Sequence, residues 1–387
     1  MKKESTNFNT YLIIVIVISI AVGLYFMIAA PTTTKEKASE IETKEVVLNL
    51  LGTDCKECFN ISIAVDFIQK QKTINVKETK ELSIADSEEL IKKYNITRLP
   101  AVVITGSTEN LTIPNFDRAG DALVFEKAPA PYYNVATKSI KGKVSVTVLE
   151  EPACTECFDV KLLTQQLEMA GVKIIEQKTV EAKSEEGKQI ITKYKITKVP
   201  TLVFSKDALD YEVITQVWDQ VGTQEQDGML VLRTINPPYI NLSSGKTEGL
   251  VSLTIIADQN CTECYNASVI KELFQQNINM YFKTEETVDA ASAKGKMMIK
   301  KYAIDVIPTV ILSKEVKAYP NFEVAWEAVG TEEKDGLFVF RNVPLLENLF
   351  KQQEQTFAYK NLTSGKVVTS STTITEEAEI AEPEPEE

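Results

Sequence analysis

The sequence contains no histidine. That excludes Ser/His and Cys/His catalysis, His-ligated zinc and an imidazole pH switch. It also lacks an excess of positive charge. Lys and Arg total 42 against 55 Asp and Glu, a net charge of -13. Phosphate backbones need clustered Lys and Arg, so nucleic acid is not expected as a partner. Tryptophan is scarce, with 2 in 387 residues. Cysteine numbers only 6, but every one falls in a C-x-x-C pair: Cys55/Cys58, Cys154/Cys157 and Cys261/Cys264. No other side chain offers unusual chemistry. The hydrophobic fraction, 44%, is that of a globular protein, and the length leaves room for two to four domains.

Each pair is followed at nearly constant distance by an apolar residue and a proline: Leu99-Pro100, Val199-Pro200 and Ile307-Pro308. The separations from first cysteine to proline are 45, 46 and 47 residues. Two landmarks at fixed spacing, three times over, mark an internal repeat. Each copy opens with a β-rich run, such as Val144-Ser145-Val146-Thr147-Val148-Leu149, and a polar loop then leads to the C-x-x-C. Apolar residues at helical spacing follow: Ile63, Val65, Phe67 and Ile68; Leu162, Leu163, Leu167 and Met169; Val269, Ile270, Leu273 and Phe274. A short strand and a second helix come next. The helix ends in Lys92-Lys93-Tyr94-Asn95-Ile96, Thr192-Lys193-Tyr194-Lys195-Ile196 or Lys300-Lys301-Tyr302-Ala303-Ile304. Lys92-Lys93 and Lys300-Lys301 read as solvated helix faces. The proline then starts another β-run.

Outside the repeats the chain changes character. Residues 1–10 are polar. Residues 11–30 carry no charge and as a helix would be about 30 Å long, enough to cross a bilayer. A cleaved signal peptide is the main alternative, but the run is long and Met27-Ile28-Ala29-Ala30-Pro31 is a poor cleavage site. A buried core helix fits less well, because the stretch has no polar face. Lys2 and Lys3 favour an N-terminus inside and the bulk of the chain extracytoplasmic. Residues 31–44 read as a linker, and residues 367–387 as a disordered acidic tail. The tail carries no K-D-E-L-type signal. The repeats are placed at 45–140, 141–247 and 248–366.

The order strand, C-x-x-C at a helix start, strand, helix, apolar-Pro, strand resembles the thioredoxin superfamily. The resemblance spans residues 45–365 and is specific only from the first strand to the strand after the proline. It implies an α/β fold: three tandem thioredoxin-like domains, each a central mixed sheet flanked by helices, after a single N-terminal transmembrane helix. It implies that Pro100, Pro200 and Pro308 follow cis bonds, uncommon for X-Pro in general. It also implies that the backbone edge beside each proline offers a docking strand for substrate. The chain departs from thioredoxin itself in several places. Asp54, Ala153 and Asn260 precede the pairs where thioredoxin has tryptophan, and Lys-Glu, Thr-Glu and Thr-Glu replace Gly-Pro between the cysteines. Asn49, Val148 and Ile255 stand near the place of a buried carboxylate. The second half of each copy also differs. A helix with Trp218 or Trp326, read as core residues, precedes a strand, with Phe116 near that position in the first copy.

A thiolate at the first turn of a helix is stabilised by unpaired N–H groups and the helix dipole. By resemblance, Cys55, Cys154 and Cys261 are nucleophiles, and Cys58, Cys157 and Cys264 resolve the mixed disulfide. Glu57, Glu156 and Glu263 oppose the thiolate, so weak acidification and a reducing potential are expected. The redox-active disulfides need no other cofactor. The expected partners are thiols and disulfides of exported client proteins, plus a redox partner protein, because the span has no cysteine to carry electrons. Structural disulfides on a non-catalytic surface binding protein are the alternative, although a C-x-x-C ring closes little chain entropy. Cys₄ metal ligation would have to bring two pairs together and leave the third alone. Sequons stand at Asn60, Asn95, Asn110, Asn241, Asn266 and Asn361.

Overall fold

The computed structural model describes residues 43–320, 322–352 and 355–370. The 11–30 span, most of the 31–44 linker and residues 371–387 lie outside these. Among the described residues no helix is long and apolar enough to cross a membrane.

The first copy contains β1 (Lys44–Leu51), α1 (Ser62–Gln69), β2 (Ile74–Leu82), α2 (Glu88–Tyr94), β3 (Arg98–Leu99), β4 (Ala101–Gly106), β5 (Asp117–Ala119), β6 (Ala122–Phe125), β7 (Tyr132–Asn134) and β8 (Ser139–Lys141). The second contains β9 (Val144–Glu150), α3 (Lys161–Met169), β10 (Ile174–Glu181), α4 (Glu185–Tyr194), β11 (Lys198–Val199), β12 (Thr201–Phe204), β13 (Gly222–Gln224), β14 (Leu230–Leu232), β15 (Tyr239–Asn241) and β16 (Lys246–Glu248). The third contains β17 (Val251–Ala257), α5 (Ser268–Ile278), β18 (Phe282–Asp289), α6 (Ala293–Lys301), β19 (Val306–Ile307), β20 (Thr309–Leu312), β21 (Gly330–Glu332), β22 (Phe338–Phe340), β23 (Phe357–Asn361) and β24 (Val367–Ser370).

Each copy builds a five-stranded mixed sheet in the order β2-β1-β4-β6-β5, β10-β9-β12-β14-β13 or β18-β17-β20-β22-β21. The first strand pairs parallel with the second and antiparallel with the strand after the proline. The central strands are apolar on both faces because both are covered. In copy 1, Val46, Leu48 and Leu50 pack with Val65 and Ile68 of α1, while Leu51, Val103 and Val124 pack with Tyr94 and Ile96 on the other face. The exposed edges, β2, β10 and β18, carry charged residues such as Lys77, Glu78 and Lys80, which discourage pairing with another chain.

Not every predicted core residue is inside. Ile63, Leu162 and Met169 are exposed, because the face of α1 and α3 that meets the sheet is carried by other positions, Ala64, Val65 and Ile68 in α1. Trp218 and Trp326 are buried, as expected, on the short helices Trp218–Val221 and Phe322–Trp326 that precede the outer hairpin. The disorder expected from residue 367 does not hold for its first four residues. Val367–Ser370 pair with Phe357–Lys360 of β23, and the Ser370 hydroxyl donates to the Phe357 carbonyl.

The second helices end as their sequences suggest. Tyr94, Tyr194 and Tyr302 are buried, and their hydroxyls donate to Asp121 (3.0 Å), Asp227 (3.0 Å) and Asp335 (3.0 Å) beside the outer hairpin. Asn95, Lys195 and Ala303 then adopt positive φ of 53°, 51° and 47°, which reverses the chain into the proline strand. By compactness the chain groups into two units, one reaching Pro152 together with Asp159–Ile235, the other Ala153–Phe158 together with Asn236 onward.

Candidate dithiol sites

The cysteines lie in loops, not in helices. Each pair forms its own disulfide, with Cα–Cα distances of 5.3, 5.4 and 5.4 Å, and all six residues are half-buried. Within two of the rings the second cysteine's N–H donates to the first cysteine's carbonyl, Cys58 to Cys55 (3.4 Å) and Cys157 to Cys154 (3.4 Å). The helices begin at Ser62, Lys161 and Ser268, seven residues after the first cysteine each time. This corrects the expectation of a C-x-x-C at the first helical turn. The reason is the residue two places after the second cysteine. The side-chain oxygens of Asn60, Asp159 and Asn266 accept from the N–H of Ser62 (3.0 Å), Lys161 (2.9 Å) and Ser268 (2.9 Å). These Asx turns hold the helix start away from the sulfurs. The cysteines therefore lie outside the first helical turn, where dipole stabilisation of a thiolate is strongest.

The Leu99-Pro100, Val199-Pro200 and Ile307-Pro308 bonds are cis, and so are Ala130-Pro131 and Pro237-Pro238. The strand edge before the proline is not open in copies 1 and 3. Arg98 and Leu99 pair with Asn134 and Tyr133 of β7, and Val306 and Ile307 pair with Asn361 and Lys360 of β23. The same strap reaches the dithiol loop. Phe59 N–H donates to the Pro131 carbonyl just before β7 (3.4 Å), and Tyr265 N–H donates to the Ala358 carbonyl in β23 (2.8 Å). In copy 2, Phe158 N–H donates to the Pro238 carbonyl just before β15 (2.8 Å). A chain seeking main-chain hydrogen bonds on the edge before Pro100 or Pro308 therefore meets one already satisfied from within. In copy 3 the Tyr265 hydroxyl also donates to the Pro308 carbonyl (2.7 Å), which joins the residue after Cys264 directly to the proline.

Charged neighbours differ among the sites. Glu57 pairs with Lys143 (3.0 Å), and the hydrogen bond from Lys143 holds the Glu57 carboxyl below the usual carboxylate range. Glu156 faces Lys283 at 3.8 Å. In copy 3, Lys360 on β23 pairs with the nearly buried carboxylate of Asp258, three residues before Cys261. Burial and hydrogen bonding put Asn49 to structural use: it donates to the Val103 carbonyl (3.2 Å) from inside the sheet. Thr247 of β16 lies 3.9 Å from the Cys154 sulfur.

Lys143, Lys283, Lys360 and the straps were not anticipated. A signal for the straps was present: Tyr132-Tyr133-Asn134, Tyr239-Ile240-Asn241 and Tyr359-Lys360-Asn361 recur at the close of the three copies.

No family model matches the chain, and no curated protein matches it. Solved structures that align with it include the NTD_N/C domain of alkylhydroperoxide reductase AhpF from Enterococcus faecalis, at 14% identity and a TM-score of 0.15, covering 42% of this chain and 83% of that one. ERdj5 form II aligns at 12% identity and a TM-score of 0.16, over 84% of this chain but only 44% of its own. The zinc-bound form of human ERp44 aligns at 8% identity and a TM-score of 0.16, over 81% of this chain and 87% of that one. The thioredoxin-like assignment rests on the chain's own strand order, with the cysteine loop and proline at the same two places in each mixed sheet.

Proposed function

We propose that the chain is a thiol–disulfide oxidoreductase, tethered to a membrane by residues 11–30, that exchanges disulfides with exported proteins through its three C-x-x-C sites. One observation carries this reading. All six cysteines are partly exposed, paired at a sequence separation of 3, and presented on equivalent loops of three equivalent sheets. Structural staples placed for stability would be expected to close longer loops.

Cys55, Cys154 and Cys261 are the attacking thiols in this reading. For reduction of a client, the Cys55 thiolate attacks one client sulfur. A Cys55–client bond forms, the client S–S bond breaks, and the departing thiolate takes a proton from solvent. Cys58 then loses its proton and attacks the Cys55 sulfur, which breaks the Cys55–client bond, releases the remaining client sulfur as a thiolate that takes a proton, and closes Cys55–Cys58. The client gains two electrons and two protons. Oxidation of a client runs the same steps backwards. Pro100, Pro200 and Pro308 shape the backbone near the sites. With the edges before Pro100 and Pro308 paired, clients at those sites approach the sulfurs from the exposed side of the loop. No cysteine lies in the first turn of a helix, where strong oxidants gain their thiolate stabilisation, which suits a reductant more than a strong oxidant.

A second reading is a non-catalytic surface protein with structural disulfides. It is favoured by the displaced helix starts and the occupied edges. Turnover separates the two. The full chain should catalyse dithiothreitol-driven reduction of a disulfide-bonded test protein, with loss of rate in a Cys55→Ser/Cys154→Ser/Cys261→Ser variant. Equal rates for parent and variant would establish the scaffold.

A further inference from the structure

The carboxylate inside each C-x-x-C meets a different environment in the three copies. Glu57 in the first ring is paired with Lys143, which lies just before β9 in the second repeat, and Lys173, just before β10, adds a further favourable charge. Glu156 in the second ring faces Lys283 of β18, in the third repeat. In both cases the lysine is supplied by the repeat that follows in sequence. No repeat follows the third within the described residues. Among them Glu263 makes no ion pair, and Lys360 of the same copy is already engaged with Asp258.

The charge around the rings can be set out from these pairs. Ring 1 has Asp54, Lys56 and Glu57 on its loop and Lys143 and Lys173 facing it. Ring 2 has Glu156 opposite Lys283, with Glu150 and Glu151 upstream tied to Lys161 and Lys183. Ring 3 has Asp258 tied to Lys360, and Glu263 has no ion pair among the described residues. A carboxylate next to the second cysteine and two residues from the first disfavours a thiolate at either, and a paired ammonium cancels most of that effect.

We propose that Lys143 and Lys283 are positioning residues for the dithiols of the preceding repeats, and that they make Cys55 and Cys154 more nucleophilic than Cys261. The proposal rests on the exchange reading for its use, but its physical content concerns the reduced thiols alone. For a solvent-exposed unit charge roughly 7 Å away, screened to nearly the dielectric of bulk water, the expected effect is about threefold in thiolate fraction.

The test uses the full chain, reduced, with iodoacetamide labelling over pH 6–10 and mass readout of each cysteine separately. Below the titration midpoint, Cys55 and Cys154 should label faster than Cys261. Lys143→Met should slow Cys55 about threefold and leave Cys154 and Cys261 unchanged. Lys283→Met should do the same to Cys154 alone, and Glu263→Gln should speed Cys261. Glu57→Gln in the Lys143→Met background should restore the Cys55 rate, which a general loss of folding would not. Equal labelling of the three first cysteines, or a Lys143→Met effect that ignores the presence of Glu57, would overturn the proposal. Absence of client turnover with these shifts intact would instead remove the oxidoreductase reading and leave this one standing.

Discussion

Tyr265 offers the sharpest test of how a dithiol loop is held. It follows Cys264, is 5% exposed, and donates its hydroxyl to the Pro308 carbonyl at 2.7 Å. Its ring packs on Phe357 (5.1 Å) and Phe350 (5.9 Å). Burial raises the phenol far above its ordinary range, so the hydrogen bond persists at any working pH. Copies 1 and 2 carry Phe59 and Phe158 at this position. Tyr265→Phe keeps the ring contacts and removes one neutral hydrogen bond, worth about 0.5–1.5 kcal/mol, while stranding a buried carbonyl at about 1–3 kcal/mol. Easier burial of phenylalanine offsets part of this, and the net loss is about 1–2 kcal/mol. With a urea dependence of about 2 kcal/mol per molar, the midpoint should fall by about 0.5–1 M. Trp326 fluorescence follows copy 3 once Trp218 is replaced by Phe. That replacement breaks no hydrogen bond, since the Trp218 ring N–H has no partner. Superimposable unfolding curves for Tyr265→Phe and its parent would refute the claim that this hydroxyl secures the loop.

Arg341 donates to the Tyr302 carbonyl (2.6 Å), the Ala303 carbonyl (2.9 Å) and Glu333 (2.7 Å), which ties the end of α6 to the outer hairpin. Arg341→Met should cost about 2 kcal/mol by the same fluorescence assay, with an unchanged curve as the contrary result. At Gly295 an added Cβ would lie 2.1 Å from the Asp289 carbonyl oxygen and 2.8 Å from Ala290 Cα. Gly295→Ala should therefore destabilise by at least about 2 kcal/mol, and a neutral effect in thermal melting would contradict the packing described. The hydrogen bond from Lys360 depresses the Asp258 carboxyl below its ordinary value. A depressed carboxyl stabilises the fold above its unfolded value near pH 4, and that increment is lost as pH falls through the folded value. Urea midpoints at pH 7, 4 and 3 should therefore drop more steeply for the parent than for Lys360→Met, and parallel profiles would count against the pair.

Much of the fold was legible because the repeat supplied its own internal comparison. Apolar runs such as Val102-Val103-Ile104, buried on both faces, cannot form an exposed strand, and the Lys-Tyr-x-Ile phrases place a helix end before each proline. The cysteine loops were misread for a local reason. Asn60, Asp159 and Asn266 open an Asx turn that precedes the helix, and a side chain competing with the backbone leaves no mark on apolar spacing. The exposure of Ile63 and Met169 has a different cause: an apolar residue in a helix need not lie on its inward stripe, which in α1 is filled by Ala64, Val65 and Ile68. The strap strands are only three to five residues long, and their pairing with the edge before the proline is set by the three-dimensional return of the chain. The lysines opposite Glu57 and Glu156 lie roughly 85–130 residues away in sequence, a distance no spacing rule reaches.

The central claim is that these dithiols exchange. Equilibration of the full chain in glutathione and dithiothreitol buffers, followed by alkylation and mass readout of each pair, tests it most directly. The account predicts midpoints between about -120 and -270 mV, toward the reducing end, with Cys261/Cys264 distinguishable from the other two. Midpoints below about -300 mV at all three pairs, with slow reduction, would contradict it and leave three structural disulfides.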